Sequence, residues 1–285
     1  MKIAILGGTG QIARALTREI MREGGHETVL FARRPELLAD LSSRKETDFN
    51  ALDREKFDLV VNGIGAGTPA VLRDHYENWF TVLEEFDNRA LGYLRKHPET
   101  LYVMFSSGAV RRLRGLDPDR IEVADYYALA KLYAEAKHRA MRGLRIADIR
   151  IYSFFSRYSP LDAGYFITDL AAAVRHGTEL VTGPEDIVRD YIHPADLWRL
   201  IRRCAEQQEI NLVCDAASAA PAAKSAILQR CREEFDLRYR VAEPCGKSPN
   251  ATAARYVPDP AAAERLGFRA KMDSLTSLIE ELKHV

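Results

Sequence analysis

Tyr127 and Lys131 stand four residues apart in the run Asp125-Tyr126-Tyr127-Ala128-Leu129-Ala130-Lys131. On a helix this spacing puts a phenol and an ammonium on one face. A neighbouring cation favours phenolate, so the spacing predicts a tyrosine whose pKa is drawn down by Lys131. Such a phenol can pass a proton to or from a carbonyl or alcohol oxygen while hydride moves at the carbon. Taken alone the pair is common by chance. It gains weight because the same chain opens with Gly7-Gly8-Thr9-Gly10-Gln11-Ile12-Ala13. Gly7, Gly10 and Ala13 fill the small-residue positions of Gly-x-x-Gly-x-x-Gly/Ala directly after a short apolar strand, which is the context a dinucleotide loop requires. Small residues let the backbone approach a pyrophosphate, and the N–H groups at a helix start stabilise its charge. The two features together describe a cofactor-dependent redox enzyme; a plain strand-to-helix turn is the alternative for the loop by itself.

The dinucleotide is read at the end of the second expected strand, Thr28-Val29-Leu30-Phe31-Ala32-Arg33-Arg34. An acid here would accept from the ribose 2′-hydroxyl of NAD, whereas arginine suits the 2′-phosphate of NADP. Arg33 and Arg34, with no acid beside them, favour NADP over NAD. A solvated basic turn before Pro35 is the competing explanation.

The elements that must position these groups follow from apolar patterning. Strands are expected at 2–6, 27–32, about 46–49, 58–62, 100–105 and 145–152, alternating with helices near 11–23, 35–41, 77–96 and 124–142. The pattern predicts an α/β fold with a doubly wound parallel Rossmann sheet over residues 1–152. Beyond about residue 153 the texture turns to Ser159-Pro160, Gly183-Pro184, His193-Pro194 and Ser248-Pro249 between shorter elements. It predicts a smaller C-terminal, substrate-binding lobe over 153–285, whose segments can interleave with the first domain. Its expected helices lie at 163–176, 194–206, 219–235, 259–265 and 273–283. Forty-one basic and forty-one acidic residues balance in a chain of 285, so no nucleic-acid or membrane partner is expected. Cys204, Cys214, Cys231 and Cys245 lack ligand spacing, so no metal is expected and they read as reduced thiols. The start is too short for a signal peptide and no run approaches a membrane span, which points to the cytoplasm.

In order along the chain, six segments resemble the extended short-chain dehydrogenase/reductases, the nucleotide-sugar epimerase, dehydratase and reductase family. They are the glycine loop; Asp48-Phe49, similar to an adenine-contacting pair; Val60-Val61-Asn62-Gly63-Ile64-Gly65; Phe105-Ser106-Ser107-Gly108-Ala109-Val110, similar to Ser-Ser-x-x-Val; Tyr127 through Glu135; and Val188-Arg189-Asp190-Tyr191-Ile192-His193-Pro194-Ala195-Asp196-Leu197. The resemblance implies Ser107, Tyr127 and Lys131 as the catalytic set, with Lys131 also holding the nicotinamide ribose. It implies Gly7, Thr9, Gly10, Gln11, Ile12, Asp48, Phe49, Asn62 and Gly63 as cofactor contacts, beside Arg33 and Arg34. Ser107, Arg189 and Arg255 would meet the substrate, the arginines through its diphosphate. A surface ion pair of Arg189 with Asp190 is the alternative there, and His193 reads as a packed rather than a catalytic histidine.

The chain also departs from the family. Arg111-Arg112 replace its Tyr-Gly, Ser153 replaces an asparagine, and Gly108-Ala109 stand where a 4,6-dehydratase carries Asp-Glu. The resemblance therefore implies an NADP-dependent reductase of a nucleotide-diphosphate-linked 4-keto (deoxy)sugar. A nucleotide-sugar 4-epimerase with bound NAD and a non-catalytic NADP-sensing protein of atypical short-chain type are the alternatives. The family often forms homodimers through the helices near 77–96 and 124–142. In the first of these, Trp79, Val82, Leu83, Phe86, Ala90, Leu91, Tyr93 and Leu94 offer a wide apolar surface.

Overall fold

The computed structural model describes residues 1–65, 76–242 and 254–285. Cys245 and Ser248-Pro249 lie outside the described residues, as does the side chain of Trp79. The first half alternates strand and helix: β1 (Lys2–Leu6), α1 (Gln11–Glu23), β2 (Glu27–Phe31), β3 (Arg44–Glu46), β4 (Leu59–Asn62), α2 (Tyr76–Lys96), β5 (Leu101–Ser107), α3 (Tyr126–Ala140) and β6 (Arg145–Ile151). After these come α4 (Phe166–His176), β7 (Leu180–Thr182), β8 (Val188–Arg189), α5 (Pro194–Ala205), β9 (Asn211–Ala216), β10 (Ala222–Ala223), α6 (Lys224–Phe235), β11 (Tyr239–Val241), β12 (Arg255–Tyr256), α7 (Ala261–Arg265) and α8 (Ser274–Leu282).

Seven strands pair in the order β3-β2-β1-β4-β5-β6-β9, each pair parallel. Alternation along a strand separates the two faces. Ile3 and Ile5 join Leu16 and Ile20 of α1 and Leu197 and Ile201 of α5 in one core, while Ala4 and Leu6 join Leu91, Tyr93 and Leu94 of α2 in another. A third core, including Leu170 of α4, Ile227 of α6 and Leu278 of α8, holds the later helices together. Chain order reverses between β1 and β4, and the crevice beyond the strand ends at such a switch point is where open α/β sheets take ligands.

Some expected boundaries move, for identifiable reasons. The strand expected at about 46–49 is β3 at Arg44–Glu46, an edge strand of three charged residues defined by its pairing with β2. Phe49–Arg54 is instead a 3₁₀ turn, because the Asp48 carboxylate caps it by accepting from the Asn50 N–H at 2.9 Å. The helix expected over 35–41 shortens to a 3₁₀ turn at Pro35–Leu38. β9 was not expected, and with α5 it brings part of the chain beyond 153 back onto the main sheet. Of the apolar residues on α2, Leu91 and Tyr93 are core, not surface.

A buried charge cluster ties α2, α3, β5 and β6 beneath the strand ends. The His138 imidazole bridges Asp148 at 2.7 Å and Asp87 at 2.8 Å, and Lys137 and Arg139 pair with the outer oxygens of the same two carboxylates. The Tyr102 hydroxyl donates to Asp87 at 2.8 Å and accepts from Asn62 at 2.9 Å. Burial opposes charge on His138, but hydrogen bonds to Asp148 and Asp87 outweigh it and push the imidazole up to about 9. Since its ordinary value is 6.5, its contribution to stability is complete below pH 6.5 and is lost as pH rises through about 9. Removing the imidazole would leave two buried carboxylates facing each other, so His138→Leu should cost about 3–5 kcal/mol. Urea unfolding of both proteins from pH 6 to pH 10 checks this: the stability difference between wild type and variant should be largest below pH 6.5 and shrink as pH rises through about 9.

Candidate active site

The glycine loop is held by its backbone. The N–H groups of Gly7 and Gly8 both donate to the Phe31 carbonyl at 3.0 Å, which pins the turn after β1 to the end of β2. Gly7 has φ +78°, and a Cβ there would come within 2.9 Å of Ile64 Cγ1 and 3.1 Å of its backbone nitrogen. Only glycine fits that conformation and that approach. Gly10 then begins α1 with no side-chain cap and no acid in the first turn. The first N–H groups of a helix have no partner within it, so this end offers donors and positive potential to an anion. The residues present fit a dinucleotide pyrophosphate.

A cavity of about 420 Å³ opens here, at the C-terminal ends of β1, β4, β5 and β6. Gly10, Gln11, Ile12 and Gly63 line its glycine-loop side, and Gly7 and Thr9 form the turn next to it. The Gln11 side chain is also engaged by the Ser159 hydroxyl, and the Arg14 guanidinium lies 4.2 Å from the Tyr158 ring centre, so the segment after β6 packs over the start of α1. Arg33 and Arg34 are exposed just past the end of β2, and neither is tied to a carboxylate among the described residues. Asp48, Phe49 and Asn62 do not reach the cavity wall. Asp48 caps its turn and pairs with Arg54 at 2.6 Å, while Phe49 packs on Phe31 and Phe86. Asn62 is buried, donating to Tyr102 and accepting from the Ile64 N–H at 3.0 Å. It shapes the loop after β4.

Ser107, Tyr127 and Lys131 meet at the centre of the same cavity. Strand alternation sends Ser106 and Ser107 to different partners. The Ser106 hydroxyl donates to Glu135 at 2.5 Å, and Arg150 grips the same carboxylate. Ser107 accepts from the Ala109 N–H at 3.1 Å and faces the Tyr127 phenol in the cavity. The Lys131 ammonium donates to the Phe105 carbonyl at 2.7 Å, which joins α3 to the last turn of β5. Burial lowers Lys131 to about 8, against the pull of Asp148, Asp87 and Glu135. Contrary to the expectation from spacing, Tyr127 is raised: burial dominates, and the neighbouring Ser107 hydroxyl opposes it.

Across the cavity stands Arg189 at the end of β8, buried, with its guanidinium donating to the Val188 carbonyl at 2.9 Å. Asp190 does not pair with it; both its oxygens accept from Ser218. His193 caps α5, its ring nitrogen accepting from the Ala195 N–H at 3.1 Å. Arg255 is exposed and off the cavity wall, because alternation along β12 sends its neighbour Tyr256 inward instead. Sequence reasoning missed an aromatic wall of Tyr152, Tyr165, Tyr191 and Tyr256, and the inward reach of Arg112. The Arg-Asp-Tyr-Ile-His segment already contained Tyr191; for the others the sequence carried no signal of their meeting. Among the described residues, the lining cations are Arg112, Lys131 and Arg189, and no carboxylate joins them.

Solved structures of proteins that bind nucleotide sugars or NAD share this architecture. MoeE5 in complex with UDP-glucuronic acid and NAD is 20% identical, with a TM-score of 0.77 over 100% of this chain and 98% of that one. UDP-glucose 4-epimerase of Thermotoga maritima, solved with UDP-glucose, is 15% identical, with a TM-score of 0.78 and the same coverage. dTDP-glucose 4,6-dehydratase of Bacillus anthracis, in complex with NAD, is 13% identical, with a TM-score of 0.75 over 100% and 96% of the two chains. At these identities the likeness shows the fold. No curated protein sequence matches significantly. The sequence profile of the NAD dependent epimerase/dehydratase family, however, matches residues 3–213, from the first residues of β1 into β9. That span takes in the glycine turn, Ser107, the Tyr127–Lys131 pair and Arg189, and the chain therefore belongs to the NAD dependent epimerase/dehydratase family of extended short-chain dehydrogenase/reductase enzymes.

Proposed function

We propose that the protein is an NADP-dependent reductase of a nucleotide-diphosphate-linked 4-keto (deoxy)sugar. The observation that carries this reading is the meeting of Ser107, Tyr127 and Lys131 in a cavity whose lining also holds Arg189 and, among the described residues, no carboxylate. Such a lining suits an anionic substrate, and a buried guanidinium suits a diphosphate. The chemistry that a bound reduced nicotinamide supplies is hydride transfer to the carbonyl carbon. Ser107 and Tyr127 hold the carbonyl oxygen, and Tyr127 gives it a proton. Burial keeps that phenol protonated, as a donor in the reducing direction must be. Lys131 sets the end of β5 against α3 and would hold the nicotinamide ribose. The residues beyond 153 that stand off the main sheet serve as the substrate lobe.

Two features separate this from its relatives' chemistry. Residue 108 has no room for a catalytic acid: a Cβ on Gly108 would lie 2.6 Å from the Tyr152 ring, which argues against a 4,6-dehydratase. Arg33 and Arg34, with no acid at the end of β2, argue for NADP and for a cofactor that exchanges. The NAD present in the neighbouring structures keeps a 4-epimerase as the second reading. Mass spectrometry of the nucleotide released on denaturation discriminates: co-purifying NAD supports the epimerase, and empty or NADP-loaded protein supports the reductase.

α2 and α3 leave Phe80, Val82, Leu132 and Tyr133 exposed, and this face is proposed to pair with its copy in a homodimer. Light scattering that gives the mass of one chain at micromolar concentration rejects it.

Tyr127→Phe removes one oxygen and keeps the ring. It should lower turnover of UDP- or dTDP-linked 4-keto-6-deoxyglucose by about 10² to 10⁴ while leaving NADPH affinity nearly unchanged. Near-normal turnover at saturating cofactor would sink the catalytic assignment.

Replacing Arg33 and Arg34 together by alanine should weaken NADP binding far more than NAD binding. Each charged hydrogen bond to the 2′-phosphate is worth about 1.5–3 kcal/mol. Equal losses for both dinucleotides in a calorimetric titration would show that the pair does not read the phosphate.

A further inference from the structure

Tyr256 enters the cavity from a part of the chain remote from β5 and α3. β12 runs parallel to β8 with Tyr256 opposite Arg189, so backbone pairing fixes which of Arg255 and Tyr256 turns inward. The Tyr256 ring lies 4.7 Å from the Tyr152 ring at 43°, and the Arg189 guanidinium lies 5.9 Å from its centre. Tyr152 is itself anchored. Its hydroxyl donates to the buried Asp215 carboxylate at 2.8 Å, and the same oxygen accepts from the Asp259 N–H at 3.0 Å, which fastens the chain just after β12. Gly108 makes room for this arrangement, since a Cβ there would collide with the Tyr152 ring. The outcome is that the Tyr256 and Tyr127 phenols both face the Ser107 hydroxyl in the same cavity. Two phenols from different parts of the fold thus converge on one serine in a cavity.

We propose that Tyr256 donates a third hydrogen bond to the reacting carbonyl oxygen, beside Ser107 and Tyr127; this rests on the reading of those two residues as the reacting-oxygen site. An oxygen seated against Ser107 comes within reach of both phenols, which are already aimed at that point. The proton moves from Tyr127, which shares its helix face with Lys131. Tyr256, packed against Tyr152 and Arg189 and away from Lys131, acts as a fixed donor as negative charge grows on the oxygen. Donors aimed at developing charge act in the transition state more than in the ground state. The hydroxyl should therefore appear in kcat, and the ring in packing.

The test compares Tyr256→Phe, Tyr256→Leu and Tyr127→Phe with the wild type, using NADPH and UDP- or dTDP-linked 4-keto-6-deoxyglucose. NADPH affinity by fluorescence and the thermal midpoint serve as controls. Tyr256→Phe should lower kcat by about 10²-fold, the scale for loss of one such donor, with KM, NADPH affinity and thermal midpoint little changed. Tyr256→Leu should show the same loss and a lower midpoint as well. If Tyr127→Phe is crippled while Tyr256→Phe stays within twofold of wild type, or only its KM rises, this inference fails and the reductase reading stands. If Tyr127→Phe is also near normal, or the wild type reduces neither ketone, the reductase reading fails and this inference goes with it.

Discussion

Burying the charge of Lys131 is the constraint around which the site is organised. An ammonium removed from water needs a partner and a favourable field. Here the partner is the Phe105 carbonyl at 2.7 Å, and the field comes from Asp148, Asp87 and Glu135. Each of these acids has other work. Glu135 is shared by Ser106 and Arg150, while Asp87 and Asp148 grip the two sides of His138. The charges that keep Lys131 protonated are therefore the same ones that bind α2, α3, β5 and β6 together below the cavity. This geometry sets Tyr127 one helical turn before Lys131, with its hydroxyl at Ser107 on the end of β5. A change in the cluster would be felt at the phenol, although no member of it touches the reacting centre.

How much of this could be read in the sequence depended on how local each feature is. The glycine turn, the Tyr127–Lys131 spacing and the positions of five of the parallel strands were legible, because each follows from neighbours within one turn or one strand period. The segments resembling known family motifs placed Ser107 and Arg189 in the cavity. β3 was misplaced because Arg44, Lys45 and Glu46 carry no apolar alternation and form a strand by pairing with β2. β9 was missed because its Asn-Leu-Val-Cys run offers too few residues to distinguish a buried strand from the loop after a helix. The fall in Tyr127 pKa expected from Lys131 did not appear. Spacing specifies a shared face, but the ammonium's direction is set by a carbonyl on another element, and burial outweighs what is left.

The two ends of the cavity differ in the same way. At the dinucleotide end the contacts are largely backbone, made by a turn that only small residues permit, so a short motif suffices to reveal it. At the opposite end the wall is built from side chains brought by β6, β8, β12 and α4. Tyr152 and Tyr256 meet because Asp215 on β9 fixes one of them and the β8 pairing fixes the other. Neither tyrosine stands out in its own segment. The departures from family pattern at Gly108 and Arg111 are linked to this wall: the first clears space for the Tyr152 ring, and the second donates to Asp215 at 3.1 Å. Positions that read separately in the sequence therefore meet in the structure at one anchor, the Asp215 carboxylate, which holds both Tyr152 and Arg111 at this end of the cavity. The lining there carries hydroxyl groups and cations and, among the described residues, no carboxylate.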